Sequence, residues 1–108
     1  MTVLTIRAHR RYAVRQTVRL RKPGGRPATG LMIELSSEGV RVSNLGRGQF
    51  VAGEPVTVEI EELLFHGRIR WAHDGIAGVR LDTALYTNEL SDLIARGRGQ
   101  DEMVRYGT

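Results

Sequence analysis

Apolar and polar residues alternate in six segments of the first 81 residues, and a period of two is typical of strands with one buried face. The first segment begins at Tyr12 and is about ten residues long. The positions predicted to face inward are Tyr12, Val14, Gln16, Val18 and Leu20 in the first segment, Leu31, Ile33 and Leu35 in the second, Val40 and Val42 in the third, Val56, Val58 and Ile60 in the fourth, Phe65, Gly67, Ile69 and Trp71 in the fifth, and Ala77, Val79 and Leu81 in the sixth. Trp71 is therefore expected to be largely buried and to support the fold, not a ligand.

Turn-forming residues separate these segments. Residues 22–27 are dense in glycine and proline, and residues 36–39 read Ser-Ser-Glu-Gly. Glu61-Glu62 marks another turn, and Asp74-Gly75 is a strong hairpin signal. The strands on either side of each turn are therefore predicted to pair antiparallel.

A helix is predicted after the last strand. Thr87 can cap a helix over about residues 88–95, with Leu90, Leu93 and Ile94 on one side, before a polar tail at 96–108. Six antiparallel strands can hide their two edges by closing into a barrel. We predict an all-β fold, a six-stranded antiparallel β-barrel with a short C-terminal helix, in a single domain over 1–108 with its core at about 7–95.

Composition narrows the class of protein. A chain of 108 residues with 41% hydrophobic and 26% charged residues is ordinary for one soluble globular domain. It has no apolar run near the roughly 18 residues that a membrane span needs. It also has no cysteine, which excludes disulfides and thiolate chemistry and fits a cytoplasmic location.

Charge is distributed unevenly along the chain. The net charge is +4, but residues 1–33 carry eight basic side chains and no acidic one. Residues 34–108 carry eight basic and all twelve acidic side chains, a net charge of −4. A basic first third favours an anionic partner, namely phosphate, nucleic acid or lipid headgroups.

Residues that could carry catalysis or bind a metal are scattered. His9, His66 and His73 lie on different predicted elements, with no second ligand at metal spacing. No nucleophile has a nearby base, and no pair of carboxylates or phosphate-binding loop is recognisable. We therefore predict no catalytic residue, no metal, no cofactor and no enzymatic activity.

Two short clusters are the candidate binding site. Arg7 and Arg11 are four residues apart just before the first strand, where two guanidinium groups can clamp phosphates or sandwich a purine. Glu34, Ser36 and Gly39 come together at the end of the second strand and offer a carboxylate, a hydroxyl and an unobstructed backbone. These three residues fit a ligand site, and they fit an ordinary decorated hairpin as well.

The two clusters, in this order, resemble the motifs of the PilZ domain family over about residues 7–95. Arg7-Ala-His-Arg-Arg11 matches the family's Arg-x-x-x-Arg, and Glu34-Leu-Ser36-Ser-Glu-Gly39 is similar to its (Asp/Asn)-x-Ser-x-x-Gly. The resemblance implies a PilZ-like split barrel that binds cyclic di-GMP, a bacterial second messenger. A single-domain receptor of this kind would act as an adaptor through a protein partner or through its own assembly.

The resemblance also implies roles for the motif residues. Arg7 and Arg11 would contact phosphates and stack on guanine, with Arg10 as an auxiliary cation, while Glu34, Ser36 and Gly39 would line the barrel side. The departure is Glu34, because the family has Asp or Asn there. Its extra methylene moves the carboxylate by roughly 1.5 Å, and losing one charge-assisted hydrogen bond weakens binding by roughly 10- to 100-fold.

Two other functions remain open from the sequence. One is a PilZ-like protein-interaction module that no longer binds nucleotide, which Glu34 favours. The other is a small nucleic-acid-binding barrel, which the basic first third favours. Tyr12 is the only aromatic residue near the basic segment, so base-stacking platforms are scarce and no specific nucleic-acid partner is predicted.

Overall fold

A computed structural model describes the backbone of residues 10–106 and the side chains of residues 10–99. Six strands are followed by one helix. Their bounds are β1 Tyr12–Arg21, β2 Ala28–Leu35, β3 Gly39–Ser43, β4 Pro55–Ile60, β5 Leu63–His73, β6 Ile76–Leu81 and α1 Thr87–Tyr106.

The six strands form a closed barrel in the order β1-β2-β3-β6-β5-β4, and every neighbouring pair is antiparallel. Each strand is therefore paired on both sides, which hides its backbone hydrogen-bonding groups from other chains. The prediction of an all-β, six-stranded antiparallel barrel with a C-terminal helix is confirmed.

The barrel interior holds the core. The predicted inward faces of β1, β3, β4 and β6 are buried, apart from Tyr12, which is partly exposed at the end of β1. The buried apolar side chains of these four strands are Val14, Val18, Leu20, Val40, Val42, Val56, Val58, Ile60, Ala77, Val79 and Leu81.

The predicted inward face of β2 is partly wrong. Leu35 is buried, but Met32 is buried in place of Leu31 and Ile33. The pairing with β3 shifts between Met32 and Glu34, so Ile33 is an extra residue that forms a β-bulge. The bulge breaks the period of two and brings Glu34 to the outside of the barrel.

The predicted inward position of Trp71 in β5 is also wrong. Ile69 is buried as predicted, but the pairing with β6 shifts between Ile69 and Trp71. Arg70 is thus the extra residue of a second bulge, after which Trp71 lies outside the barrel and is only partly buried. Ala72 packs against the core instead.

Helix α1 differs from the prediction at both ends. The Leu90 N–H donates to the Tyr86 carbonyl, and the Tyr86 N–H donates to Glu89 Oε1 at 2.8 Å, so Tyr86 and not Thr87 is the N-cap residue. The helix also continues past Ala95 to Tyr106. Gly97 lies within the helix and faces β1, where a Cβ atom would lie 2.8 Å from the Cβ of Val14.

Arg96 ties helix α1 to the turn between β4 and β5. Its guanidinium donates to the carboxylates of Glu61, Glu62 and, within the helix, Asp92. The hydrogen bond from Arg96 lowers the pKa of the Glu62 carboxyl, and Glu62 and Glu61 raise the pKa of the guanidinium. The helix is therefore held at one end of the barrel by charge as well as by the buried Leu93.

Gln16 is a buried polar residue whose replacement should stabilise the barrel. Its side chain is 1% exposed, its Nε2 makes one long contact of 3.4 Å to the Thr17 carbonyl, and its Oε1 has no hydrogen-bond partner among the described residues. A buried acceptor without a partner costs free energy, so Gln16→Leu should raise the free energy of unfolding by about 1–2 kcal/mol. Urea denaturation measures this, with Gln16→Asn as the polar control that leaves a cavity. A less stable Gln16→Leu protein would mean that the amide is satisfied inside the barrel.

Candidate ligand-binding cleft

A cleft of about 250 Å³ lies on the outside of the barrel, where the β2–β3 turn meets β5 and β6. Four of the predicted site residues line it, namely Arg11, Glu34, Ser36 and Gly39. Arg10 does not line it, and its guanidinium lies 5.9 Å from the centre of the Tyr12 ring. Arg7 lies outside the described residues.

Arg11 and Glu34 meet because β1 pairs antiparallel with β2. Tyr12 lies opposite Leu35 and Ala13 opposite Glu34, so the residue just before β1 comes beside the end of β2. Arg11 Nη1 lies 3.6 Å from Glu34 Oε1, and both side chains are partly exposed. The two motifs of the sequence are therefore adjacent in space.

Ser36 holds the turn that forms one wall of the cleft. Its Oγ accepts hydrogen bonds from the Glu38 and Gly39 amides, each at 3.2 Å, and its own amide donates to the Gly39 carbonyl at 2.9 Å. A serine that caps its own turn in this way fixes the backbone path. Ser36 therefore stabilises the turn, whether or not it also contacts a ligand.

Position 39 requires a glycine because strands β3 and β6 come close together there. A Cβ atom at this position would lie 2.2 Å from the carbonyl oxygen of Val79 on β6. Gly39 is not among the described residues that have a positive φ, so the freedom of glycine to turn the chain is not used here. The close β3–β6 contact alone excludes a side chain.

Several cleft residues were missed by the sequence analysis, namely Glu38, Arg41, Arg70, Trp71 and Arg80. The three arginines were recognisable only as polar positions of their strands, and Trp71 was assigned to the wrong face. Two facts would have been needed to find them. One is the bulge at Arg70, and the other is the strand order β3-β6-β5, which does not follow the chain.

Trp71 and Arg41 form a layer over the barrel wall. The Arg41 guanidinium carbon lies 5.4 Å from the centre of the Trp71 indole, within cation–π range. The indole lies against Gly78, where a Cβ atom would be 2.5 Å from the indole nitrogen. Arg41 also reaches Glu34, with 3.9 Å between Nη2 and Oε1.

The cleft carries more positive than negative charge. Four arginines and two glutamates line it, and the glutamates are paired, Glu34 with Arg11 and Arg41 and Glu38 with Arg80 at 3.5 Å. An excess of guanidinium groups around a concave surface attracts anions and suits phosphate in particular. The chemistry of the cleft is therefore that of anion binding.

The described histidines do not line this cleft, although the His73 ring lies 6.0 Å, centre to centre, from the Trp71 indole at its wall. His66 Nδ1 is 3.3 Å from Thr57 Oγ1, and His73 Nδ1 is 3.3 Å from an oxygen of Asp74. Among the described side chains, those of residues 10–99, no three metal-ligating groups lie together. No helix within residues 10–106 is long and apolar enough to cross a membrane.

Comparison with known proteins identifies the family. The sequence model of the PilZ domain matches residues 5–96. The chain belongs to the PilZ family. The family resemblance noted from the sequence is thus confirmed, and the match includes the whole barrel. PilZ domains are known as cyclic di-GMP receptors, and they are regulatory binding modules, not enzymes.

A solved structure shares the PilZ fold with this chain. The crystal structure of the PilZ domain of CeSA from a cellulose-synthesizing bacterium matches with a TM-score of 0.63 and 22% sequence identity. The match covers 85% of this chain and 98% of that one. At this level of identity the likeness shows the fold alone. Among curated proteins, the comparison finds no match to the sequence.

Proposed function

We propose that this PilZ domain is a small receptor that binds cyclic di-GMP in the cleft between Arg11 and the β2–β3 turn. The observation that carries the proposal is the ion pair between Arg11 and Glu34, because it joins the two family motifs in one anion-attracting cleft. The second messenger is bacterial and intracellular, so the receptor belongs in the cytoplasm. It passes the signal to a protein partner.

The proposed contacts follow from side-chain chemistry. The Arg11 guanidinium, together with Arg7, binds phosphate oxygens in a bidentate manner. The Glu34 carboxylate accepts from the amino edge of a guanine, as acidic side chains do with base amino groups. Ser36 and Gly39 keep the turn in place, with the turn amides of Glu38 and Gly39 held by the Ser36 hydroxyl.

Calorimetric titration of the wild-type chain with cyclic di-GMP in about 0.15 M salt tests the proposal. We expect saturable binding with a Kd of about 1 μM to 100 μM, because Glu34 replaces the shorter Asp or Asn of the motif. GTP, which carries one guanine and phosphates, is the matched control ligand and should bind more weakly. If cyclic di-GMP produces no binding heat at concentrations up to about 1 mM, the proposal is wrong.

One observation favours a second function. Glu34 already contacts both Arg11 and Arg41, so two guanidinium groups of the cleft are partly neutralised without a ligand. This suits a protein-interaction module that has lost the nucleotide.

Titration with duplex DNA tests the nucleic-acid alternative. If only general attraction to phosphate is present, the chain should bind DNA weakly, and this binding should vanish near physiological salt.

A further inference from the structure

We infer that Arg41 is a further ligand-binding residue of the cleft, which presents its guanidinium plane to one guanine of cyclic di-GMP. Trp71 acts through Arg41 as a positioning residue, and Glu34 helps to hold Arg41 in addition to its own proposed contact with the guanine edge. The inference rests on the proposed function and concerns a residue outside both motifs. Arg41 lies on the wall of the cleft opposite Arg11, with Glu34 between the two arginines.

Strand pairing places Arg41 in the middle of a row of residues that crosses four strands. Glu34 lies opposite Arg41, Arg41 lies opposite Gly78, and Gly78 lies opposite Trp71. Val40 and Val42 on either side of Arg41 are buried in the core, so its side chain points out of the barrel. With no side chain on Gly78, Arg41 reaches across β6 to the indole.

Both ends of this row are brought outside by β-bulges. If Ile33 were an ordinary strand residue, Glu34 would face inward like the buried Met32, two positions earlier. If Arg70 were an ordinary strand residue, Trp71 would likewise face inward with the buried Ile69. Bulges often direct side chains toward binding sites, and here two of them supply the partners of one arginine.

These partners restrict the Arg41 side chain before any ligand arrives. Its guanidinium carbon lies 5.4 Å from the indole centre, and its Nη2 lies 3.9 Å from Glu34 Oε1. A side chain that is already ordered loses less entropy on binding, which favours affinity. The Arg41 side chain is 39% exposed and lines the cleft, so a ligand there can reach it, and guanidinium planes stack on flat rings.

The geometry explains why Arg41 and not Trp71 would meet the base. The indole has Gly78 beneath it and the Arg41 guanidinium over it, so a guanine that enters the cleft contacts the arginine first. A ligand held between Arg11 and Arg41 would lie over Glu34, since both guanidinium groups contact the same Oε1 atom. This position leaves the Glu34 carboxylate facing the guanine edge.

Calorimetric titration with cyclic di-GMP on three variants of the full chain tests the inference. Arg41→Ala should weaken binding by about 10-fold or more, because stacking on a base is lost. Arg41→Lys keeps the charge but not the planar guanidinium group. Its affinity for cyclic di-GMP should exceed that of Arg41→Ala by less than about threefold. Arg68→Ala, on the outer face of β5 but outside the cleft, is the matched control and should stay within about twofold of the wild type.

Emission of the single tryptophan provides a second measurement that needs no ligand. Arg41→Ala should change the fluorescence emission of Trp71 in the free protein. The midpoint of thermal unfolding of this variant should stay within about 2 °C of the wild type. A wild-type chain that binds while Arg41→Ala binds equally well would overturn the inference and leave the proposed function intact. A fall in both stability and affinity that lysine restores would also overturn it, since the role would then be structural. If the wild type does not bind, both proposals fail.

Discussion

Replacing Gly39 with Ala should destabilise the barrel by about 3 kcal/mol or more. The new Cβ atom would lie 2.2 Å from the Val79 carbonyl oxygen, closer than real Cβ contacts. The obstacle is backbone, so no side-chain rotation relieves it. Strands β3 and β6 would have to separate next to the Gly39–Arg80 pair, where their ladder begins. Urea denaturation monitored by circular dichroism measures the loss.

Gly99→Ala is the matched control for this substitution. Gly99 lies in helix α1, where a Cβ atom would have no neighbour within 4 Å, and alanine is a better helix former by about 1 kcal/mol. The substitution should therefore leave stability unchanged or raise it. A Gly39→Ala protein of wild-type stability that fails to bind cyclic di-GMP would contradict the steric account. It would support instead a direct role in binding, in which a side chain at position 39 blocks the ligand and not the approach of β6.

The fold was predictable because most strands keep a strict alternation. Val56, Val58 and Ile60 on β4 are all buried as the pattern indicates. The errors come from Ile33 and Arg70, where one extra residue puts the alternation before the bulge out of step with the alternation after it. A bulge is set by the fit between two strands, so the periodicity of one strand does not reveal it.

The candidate site was predictable only where neighbours in the barrel are also neighbours in sequence. Arg11 lies just before β1, and Glu34, Ser36 and Gly39 lie at the turn between β2 and β3, so pairing of consecutive strands brings them together. The wall formed by Arg70 and Trp71 reaches the same cleft because β6 lies between β3 and β5. Barrel closure decides that order, and local patterns contain no information about it.

Replacing Arg11 with Ala should reduce the affinity for cyclic di-GMP by about 100-fold or more. A bidentate guanidinium–phosphate contact contains two charge-assisted hydrogen bonds, and each contributes about 1.5–3 kcal/mol. The stability of the free protein should change little, because the pair with Glu34 is long at 3.6 Å and both side chains are partly exposed, at 42% and 30%. Calorimetry and thermal denaturation on the same sample separate the two effects. Arg7→Ala should show the same loss, since it is the other arginine of the motif.

Arg19→Ala is the control that removes the same charge from within β1, away from the cleft. Arg19 pairs with Glu59 at 3.2 Å, on the side of the barrel where β1 meets β4, and it does not line the cleft. If general attraction between the basic first third and an anion governed binding, Arg19→Ala and Arg11→Ala would weaken it equally. If Arg11 acts through direct contact, only its loss is large and Arg19→Ala stays within about twofold. Equal losses for the two variants would remove Arg11 from the site and return the basic segment to a role in nonspecific attraction.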